Sequence, residues 1–230
     1  MKAYDQALLN EGYSIEELVD KASNAILPHC LGYNNIVIVC GPGNNGADGL
    51  SLGIKLHIRA RNVKLYCFGN PNKFSQANNF YIEQAQEMEV PITFMDEEDI
   101  SLFISDAQKA DVVIDAMFGF GLNGEVRGVA RILIEEINNL YDIDIIAIDI
   151  PTGLDCNTGT PYQSVVCATQ TITLSAMKNG FLNPDSISFT GEVILEILDV
   201  NDVFEEAGLY LLADDKVVAP MLKSRRFDGH

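Results

Sequence analysis

Two aspartates stand near the ends of apolar runs. Asp115 lies within Asp111-Val112-Val113-Ile114-Asp115-Ala116-Met117-Phe118-Gly119, and Asp149 closes Ile143–Ile150 just ahead of Pro151-Thr152-Gly153. A glycine-rich segment, Gly41-Pro42-Gly43-Asn44-Asn45-Gly46-Ala47-Asp48-Gly49-Leu50, follows the β-branched run Asn35–Cys40. The side chains of Asn45, Asp115, Asp149 and Thr152 offer only oxygen ligands, a set that suits a hard cation rather than zinc. Taken singly, each aspartate is most simply a cap for backbone N–H groups in its own loop. Taken together, after strands that meet at the glycine-rich turn, they outline a site. Lys178, in Ser175-Ala176-Met177-Lys178-Asn179-Gly180, follows a further strand and comes within reach of the same edge.

Gly41, Gly43 and Gly46 fit the spacing G-x-G-x-x-G between a strand and a helix, where backbone N–H groups and a helix N-terminus receive phosphate. A nicotinamide-dependent dehydrogenase would also carry an acid about 20 residues on, to hold ribose hydroxyls. The segment Phe68-Gly69-Asn70-Pro71 has none, so ordinary hydride transfer is disfavoured. Asn44, Asn45 and Asp48 would crowd a plain phosphate cradle, so the turn does more than grip phosphate. The glycine-dense loop Gly119–Gly128 sits at the ligand edge and reads as a binding loop. His29, His57 and His230 follow no metal-ligand spacing, and no G-x-S-x-G elbow or Walker lysine is present.

These residues need a scaffold, and the hydropathy pattern supplies one. Ser14-Ile15-Glu16-Glu17 is a capping box that opens a helix running toward Pro28. Strands are expected at Asn35–Cys40, Val63–Phe68, Pro91–Met95, Asp111–Gly119, Ile143–Ile150, Ala168–Ser175 and Glu192–Leu198. Helices are expected after the glycine-rich turn through Ile58, from Phe74 to about Met88, at Ile100–Ala110 and at Val129–Leu140. Strands alternating with helices mean βαβ units and a mainly parallel sheet covered on both faces, a Rossmann-like three-layer α/β/α domain.

Of 230 residues, 47% are hydrophobic and 21% charged, enough for a full core. Thirty-three Asp and Glu against fifteen Lys and Arg give a net charge of −18, which repels nucleic acid and anionic membrane surfaces. Any anionic ligand must therefore be held by local positive character. Five widely spaced cysteines form no C-x-x-C pair, and the N-terminal stretch lacks the apolar core of a signal peptide. A reducing, cytoplasmic setting is expected.

Gly41–Gly49, Asp115-Ala116-Met117-Phe118-Gly119 and Asp149-Ile150-Pro151-Thr152-Gly153-Leu154-Asp155, in that order, resemble three signatures of the NAD(P)H-hydrate epimerase family, the YjeF N-terminal domain. The helix around Glu11–Leu18 and the segment Thr173–Lys178 also fit, and the resemblance runs to about residue 200. It implies interconversion of the R and S forms of hydrated NADH and NADPH, a repair step ahead of an ADP- or ATP-dependent dehydratase that accepts one epimer. It implies a potassium ion held by Asn45, Asp115 and Thr152. Substrate contacts would come from Asn44, Asn45, Gly46, Ala47 and Asp48, from Gly119, Phe120, Gly121, Leu122, Asn123, Gly124 and Glu125, and from Asp149. Asp149 would shuttle a proton at the C6 hydroxyl, and Lys178 would orient Asp149 or meet a substrate oxygen. A homodimer is expected.

The chain departs from the pattern at Ala47, where the family usually has glycine, and at Val19–Ser23, where it usually has Met-Glu-Asn/Arg-Ala-Gly. The expected division is an epimerase domain over 1–213 and a tail over 214–230. That tail resembles the entry into a dehydratase domain, as in an excised half of a bifunctional protein. The competing reading is a non-catalytic Rossmann-like module that binds a nucleotide or a partner.

Overall fold

The computed structural model describes residues 2–200, with side chains from Tyr4 onward; the 214–230 tail lies outside the described residues. Seven strands form one sheet: β1 (Asn35–Cys40), β2 (Asn62–Phe68), β3 (Ile92–Met95), β4 (Val112–Ala116), β5 (Asp144–Ile148), β6 (Gln170–Leu174) and β7 (Glu192–Glu196). Their order is β3-β2-β1-β4-β5-β6-β7, and every pairing is parallel. The expected α/β/α domain is present, with a wholly parallel rather than mainly parallel sheet among the described strands.

The helices are α1 (Lys2–Asn10), α2 (Ile15–Cys30), α3 (Asn44–Ile58), α4 (Gln76–Glu87), α5 (Ile100–Ala107), α6 (Val129–Asn138) and the short α7 (Ile187–Thr190). Side chains alternate between the faces of a strand. Ile36, Ile38 and Cys40 of β1 and Val112 and Ile114 of β4 join α2, α3 and α4 in one core. Val37 and Val39 with Val113 join α5 and α6 in the other. Strands buried on both faces must be apolar throughout, which is why continuous runs marked them.

Several boundaries moved for local reasons. The capping box at Ser14 and Glu17 forms, but α2 continues through Pro28 to Cys30, the ring being accommodated near the helix end. Helix α3 begins at Asn44, so only Gly41–Gly43 remain as a turn and Asn44–Asp48 are its first helical residues. Strand β4 stops at Ala116 because the Met117 N–H leaves the ladder to donate to the Asp115 carboxylate at 3.1 Å. Helix α1 was not anticipated. It buries Tyr4, Ala7 and Leu8 against Tyr13, Leu18 and Val200.

Candidate functional site

Strand order reverses between β1 and β4, and in such sheets ligands bind beyond the carboxyl ends at that crevice. The turns after β1, β4, β5 and β6 bring the anticipated residues to one edge. Asp115 is fully buried. Its Oδ1 accepts from the Thr152 hydroxyl at 2.8 Å, and its Oδ2 accepts from the Thr152 N–H at 2.8 Å. Burial pushes the Asp115 carboxyl up to about 6, against the opposing pull of the hydrogen bonds from Thr152 and Met117. The Thr152 hydroxyl oxygen also accepts from the Phe118 N–H at 3.0 Å and lies 3.3 Å from the Phe118 carbonyl oxygen. Three oxygens from two loops thus converge.

Asp149 leaves β5 in the left-handed region, at φ 69°, while its N–H still pairs with the Ile172 carbonyl at 2.8 Å. That twist carries its side chain to Lys178, whose Nζ lies 2.5 Å from Oδ1. The pair is 6% and 4% exposed. Nζ also donates to the carbonyls of Leu174 and Ala176, each at 3.1 Å, so the three ammonium donors all have protein acceptors. Oδ2 of Asp149 accepts from the Phe120 N–H at 3.2 Å.

Gly119 stands between the two halves of the site. A Cβ there would meet Asp149 Oδ2 at 3.2 Å and Asn45 Oδ1 at 3.3 Å, so the residue must be small for the two side chains to approach. The amide nitrogen of Asn45 is buried without a hydrogen-bond partner among the described residues. Orphaned buried polar groups are rare and point to a missing partner.

The glycine-rich turn is held from outside. Asn78 of α4 donates from its amide to the Gly41 carbonyl at 3.2 Å and the Gly43 carbonyl at 2.5 Å. Gly43 caps α3 with no side-chain hydrogen bond, which leaves N–H groups of the first turn for an anion. Gly46 packs so closely on Gly41 that a Cβ would collide with the Gly41 carbonyl oxygen. Gly46 and Ala47 are buried, and Ala47 belongs to the core. Phe120, Leu122 and Gly124 are half-buried at the rim, while Gly121, Asn123 and Glu125 are exposed. Glu125 pairs with Arg127 at 3.5 Å, and no hydrogen bond ties Asn123 or Glu125 to Asp149 among the described residues.

The sequence reading missed two participants. Asn78 carried no motif. Asp5 is half-buried on α1, where burial first and then the charge of Asp149 push its carboxyl up to about 6. Asp48, buried in α3, is raised further, by burial and then by the charges of Asp149 and Asp5. The one available signal was the Tyr4, Ala7, Leu8 spacing of an amphipathic helix, which places Asp5 beside its buried stripe. A cavity of about 680 Å³ lies elsewhere, between α2, α4 and the β7 end. Its lining includes Glu16, Glu17, Asp20 and Asp199 and brings together no comparable chemistry.

A family model described as YjeF-related protein N-terminus matches residues 9–180. The chain belongs to this family. A YjeF-related relative from Limosilactobacillus fermentum, named NAD(P)H-hydrate epimerase, is 32% identical over 200 residues, covering 85% of this chain and 92% of its own. A second with the same name, from Limosilactobacillus reuteri, is 31% identical over 85% of this chain and 91% of its own. A bifunctional NAD(P)H-hydrate repair enzyme from Thermofilum pendens is 31% identical over 84% of this chain, a stretch that makes up 36% of that longer protein. The crystal structure of the yeast protein ynu0 superposes with a TM-score of 0.75 at 19% identity, covering 92% of both chains, and so shares the fold. No helix among the described residues of this YjeF-related domain is long and apolar enough to cross a membrane.

Proposed function

We propose that this YjeF-related domain interconverts the R and S epimers of hydrated NADH and NADPH, in cooperation with a dehydratase that consumes one of them. The observation that carries the reading is the buried Asp149–Lys178 pair at the switch crevice, opposite the unpartnered amide of Asn45. Relatives about as long as this chain and named NAD(P)H-hydrate epimerase support it.

In this reading the dinucleotide pyrophosphate meets the first-turn N–H groups of α3, and the nicotinamide end meets Asp149. The ring nitrogen lone pair forms a C=N bond as the C6–O bond breaks, and the departing oxygen takes a proton and leaves as water. Water then adds to either face of C6 and returns a proton to the protein, so no oxidant or reductant is consumed. Asp149 is the proton carrier, in the manner of general acid–base catalysis. Lys178, whose donors are committed to the protein, positions Asp149 rather than meeting substrate. The loop Gly119–Glu125 lies at the rim of the crevice, where it would contact the substrate.

A potassium ion fits the oxygen cluster. The Asp115 carboxylate, the Thr152 hydroxyl and the Phe118 carbonyl lie together, and no basic side chain pairs with Asp115 among the described residues. Asn45, Asp115 and Thr152 would hold the ion, which would supply positive charge beside the pyrophosphate in a protein of net charge −18.

The experiment uses a mixture of both epimers with a dehydratase specific for one. Full consumption when this protein is added supports the reading. A stall with the unused epimer left over rejects it and favours a binding module.

A further inference from the structure

The turn after β2 carries chemistry that the proposed reaction leaves unused. In dinucleotide-binding sheets an acid at the end of the second strand takes the adenosine ribose hydroxyls. A cation near it takes instead the 2′-phosphate that distinguishes NADPH from NADH. Here no acid occurs between Phe68 and Glu83, and the turn supplies Asn70, Asn72 and Lys73.

This turn is locked onto the glycine-rich turn that follows β1. The Ser75 N–H donates to the Pro42 carbonyl at 2.9 Å, and the Asn78 amide holds the carbonyls of Gly41 and Gly43. Gly69 leaves β2 at φ 113°, and a Cβ there would stand 3.6 Å from the Pro42 Cβ. The Asn70 side chain accepts from the Asn72 N–H at 3.0 Å, closing a single 3-10 turn over Pro71–Lys73. Phe74 is buried in the core and stacks on Phe94. Lys73 is therefore exposed on a fixed loop, one strand away from the first turn of α3.

Its charge is uncommitted. At the carboxyl end of the sheet Lys178 is bound to Asp149, Arg127 to Glu125 and Arg131 to Glu135. Lys73 forms no ion pair among the described residues. The acidic run after β3 lies one strand further out and turns onto its own backbone. Asp99 accepts from the Asp96 N–H at 3.1 Å, and Asp96 accepts from the Glu98 N–H at 2.8 Å.

Strand order then orders the ligand. With the nicotinamide at Asp149 beyond β5 and the pyrophosphate at α3 beyond β1, the adenosine half extends over β2, about 4.8 Å further along the sheet. We infer that Lys73 receives the 2′-phosphate of hydrated NADPH and gives the protein a preference for the phosphorylated substrate. The inference rests on the epimerase reading for the identity of that substrate, but the recognition of the phosphate can be measured without the reaction. A charged hydrogen bond of this kind is worth about tenfold in affinity.

The experiment titrates the full chain with 2′-phospho-ADP-ribose and with ADP-ribose, probes that lack the nicotinamide and differ only in that phosphate. Wild type is expected to bind the phosphorylated probe about tenfold more tightly, an advantage that shrinks with added salt. Lys73→Ala should abolish the advantage, Lys73→Arg restore it and Lys73→Glu reverse it, each in a protein with native circular dichroism. Equal binding of the two probes by wild type, or failure to bind either, overturns the inference. So does an advantage that survives in Lys73→Ala. Epimerisation of hydrated NADH and hydrated NADPH by the same proteins separates this result from the reaction. A Lys73-dependent phosphate preference in a protein that converts neither hydrate sinks the epimerase reading and keeps the role of Lys73. Conversion of both hydrates with one kcat/KM, in wild type and Lys73→Ala alike, overturns that role and leaves the epimerase reading standing.

Discussion

The Lys178 ammonium sits 2.5 Å from the Asp149 carboxylate, with both side chains almost wholly withdrawn from solvent. A pair so buried is costly to form and costlier to break, because removing one partner strands the other charge. Lys178→Met is therefore expected to destabilise the fold by about 3–5 kcal/mol, read by urea unfolding. Adding Asp149→Asn to it should recover much of that loss, giving a large coupling in the double-mutant cycle. Additive effects would mean that the two groups do not depend on each other.

Asp149→Asn alone separates charge from shape. Asn tolerates the left-handed backbone that Asp149 adopts at φ 69°, so the turn should survive. Epimerisation is expected to fall by about 10²–10⁴ in a protein with native circular dichroism. An unchanged rate would remove Asp149 from proton transfer.

Thr152→Val deletes a hydroxyl that bonds Asp115 and accepts from Phe118, at nearly constant volume. The cost should be about 1–3 kcal/mol, since a buried carboxylate loses one of its donors. If the oxygen cluster holds potassium, wild type melts higher in potassium than in choline salts, and Thr152→Val loses most of that difference. A wild-type melting temperature indifferent to the cation would leave the backbone amides of α3 as the anion-binding device.

Gly119→Ala places a methyl group 3.2 Å from Asp149 Oδ2 and 3.3 Å from Asn45 Oδ1. One side chain must yield by a few tenths of an ångström. Activity should drop by about 10-fold or more while the melting temperature moves little, because positional errors of this size matter to chemistry more than to packing. Unaltered turnover would show that Asp149 and Asn45 do not need this close approach.

Asp48 supplies a prediction with a sign. Its folded pKa is raised above the ordinary aspartate value, by burial first and then by Asp149 and Asp5. Below that ordinary value, near ~3.9, the group is neutral in both folded and unfolded chains and contributes no pH-dependent penalty. Above it, the unfolded chain releases a proton that the folded chain keeps, so stability falls with rising pH. Asp48→Asn should thus gain stability relative to wild type as pH climbs from 4 toward 7, read as a widening gap in melting temperature between the two proteins. A difference that stays flat across that range would contradict the buried-acid picture.

The sheet was legible because both its faces are covered: Ile36–Cys40, Val112–Ile114 and Ile145–Ile148 had to be apolar at every position. Asp115 and Asp149 stood out as acids at the ends of those runs. The start of α3 was misjudged because Gly43, Asn44 and Asn45 are turn formers by intrinsic preference, and tertiary contacts from Asn78 override it. Helix α1 stayed hidden because its buried stripe is three residues, Tyr4, Ala7 and Leu8. With it went Asp5, whose carboxyl is raised by burial first and then by the charge of Asp149, distant in the sequence. Residues Gly121, Asn123 and Glu125 were named from a signature, and their exposure now sets them apart from the buried pair. The Lys178 partnership was available only as a guess, since nothing in a sequence states which acid a lysine will reach.

The position of Lys178 beyond β6 has a consequence for how the protein is made. A growing chain that has emerged as far as Leu174 already contains Asp115, Asp149, Thr152 and every strand of the crevice, but not the cation that Asp149 requires. Until the next four residues appear, closing the sheet would bury an unmatched carboxylate. A protein truncated just short of residue 178 would keep every strand of the crevice and leave the Asp149 carboxylate without the ammonium that pairs with it.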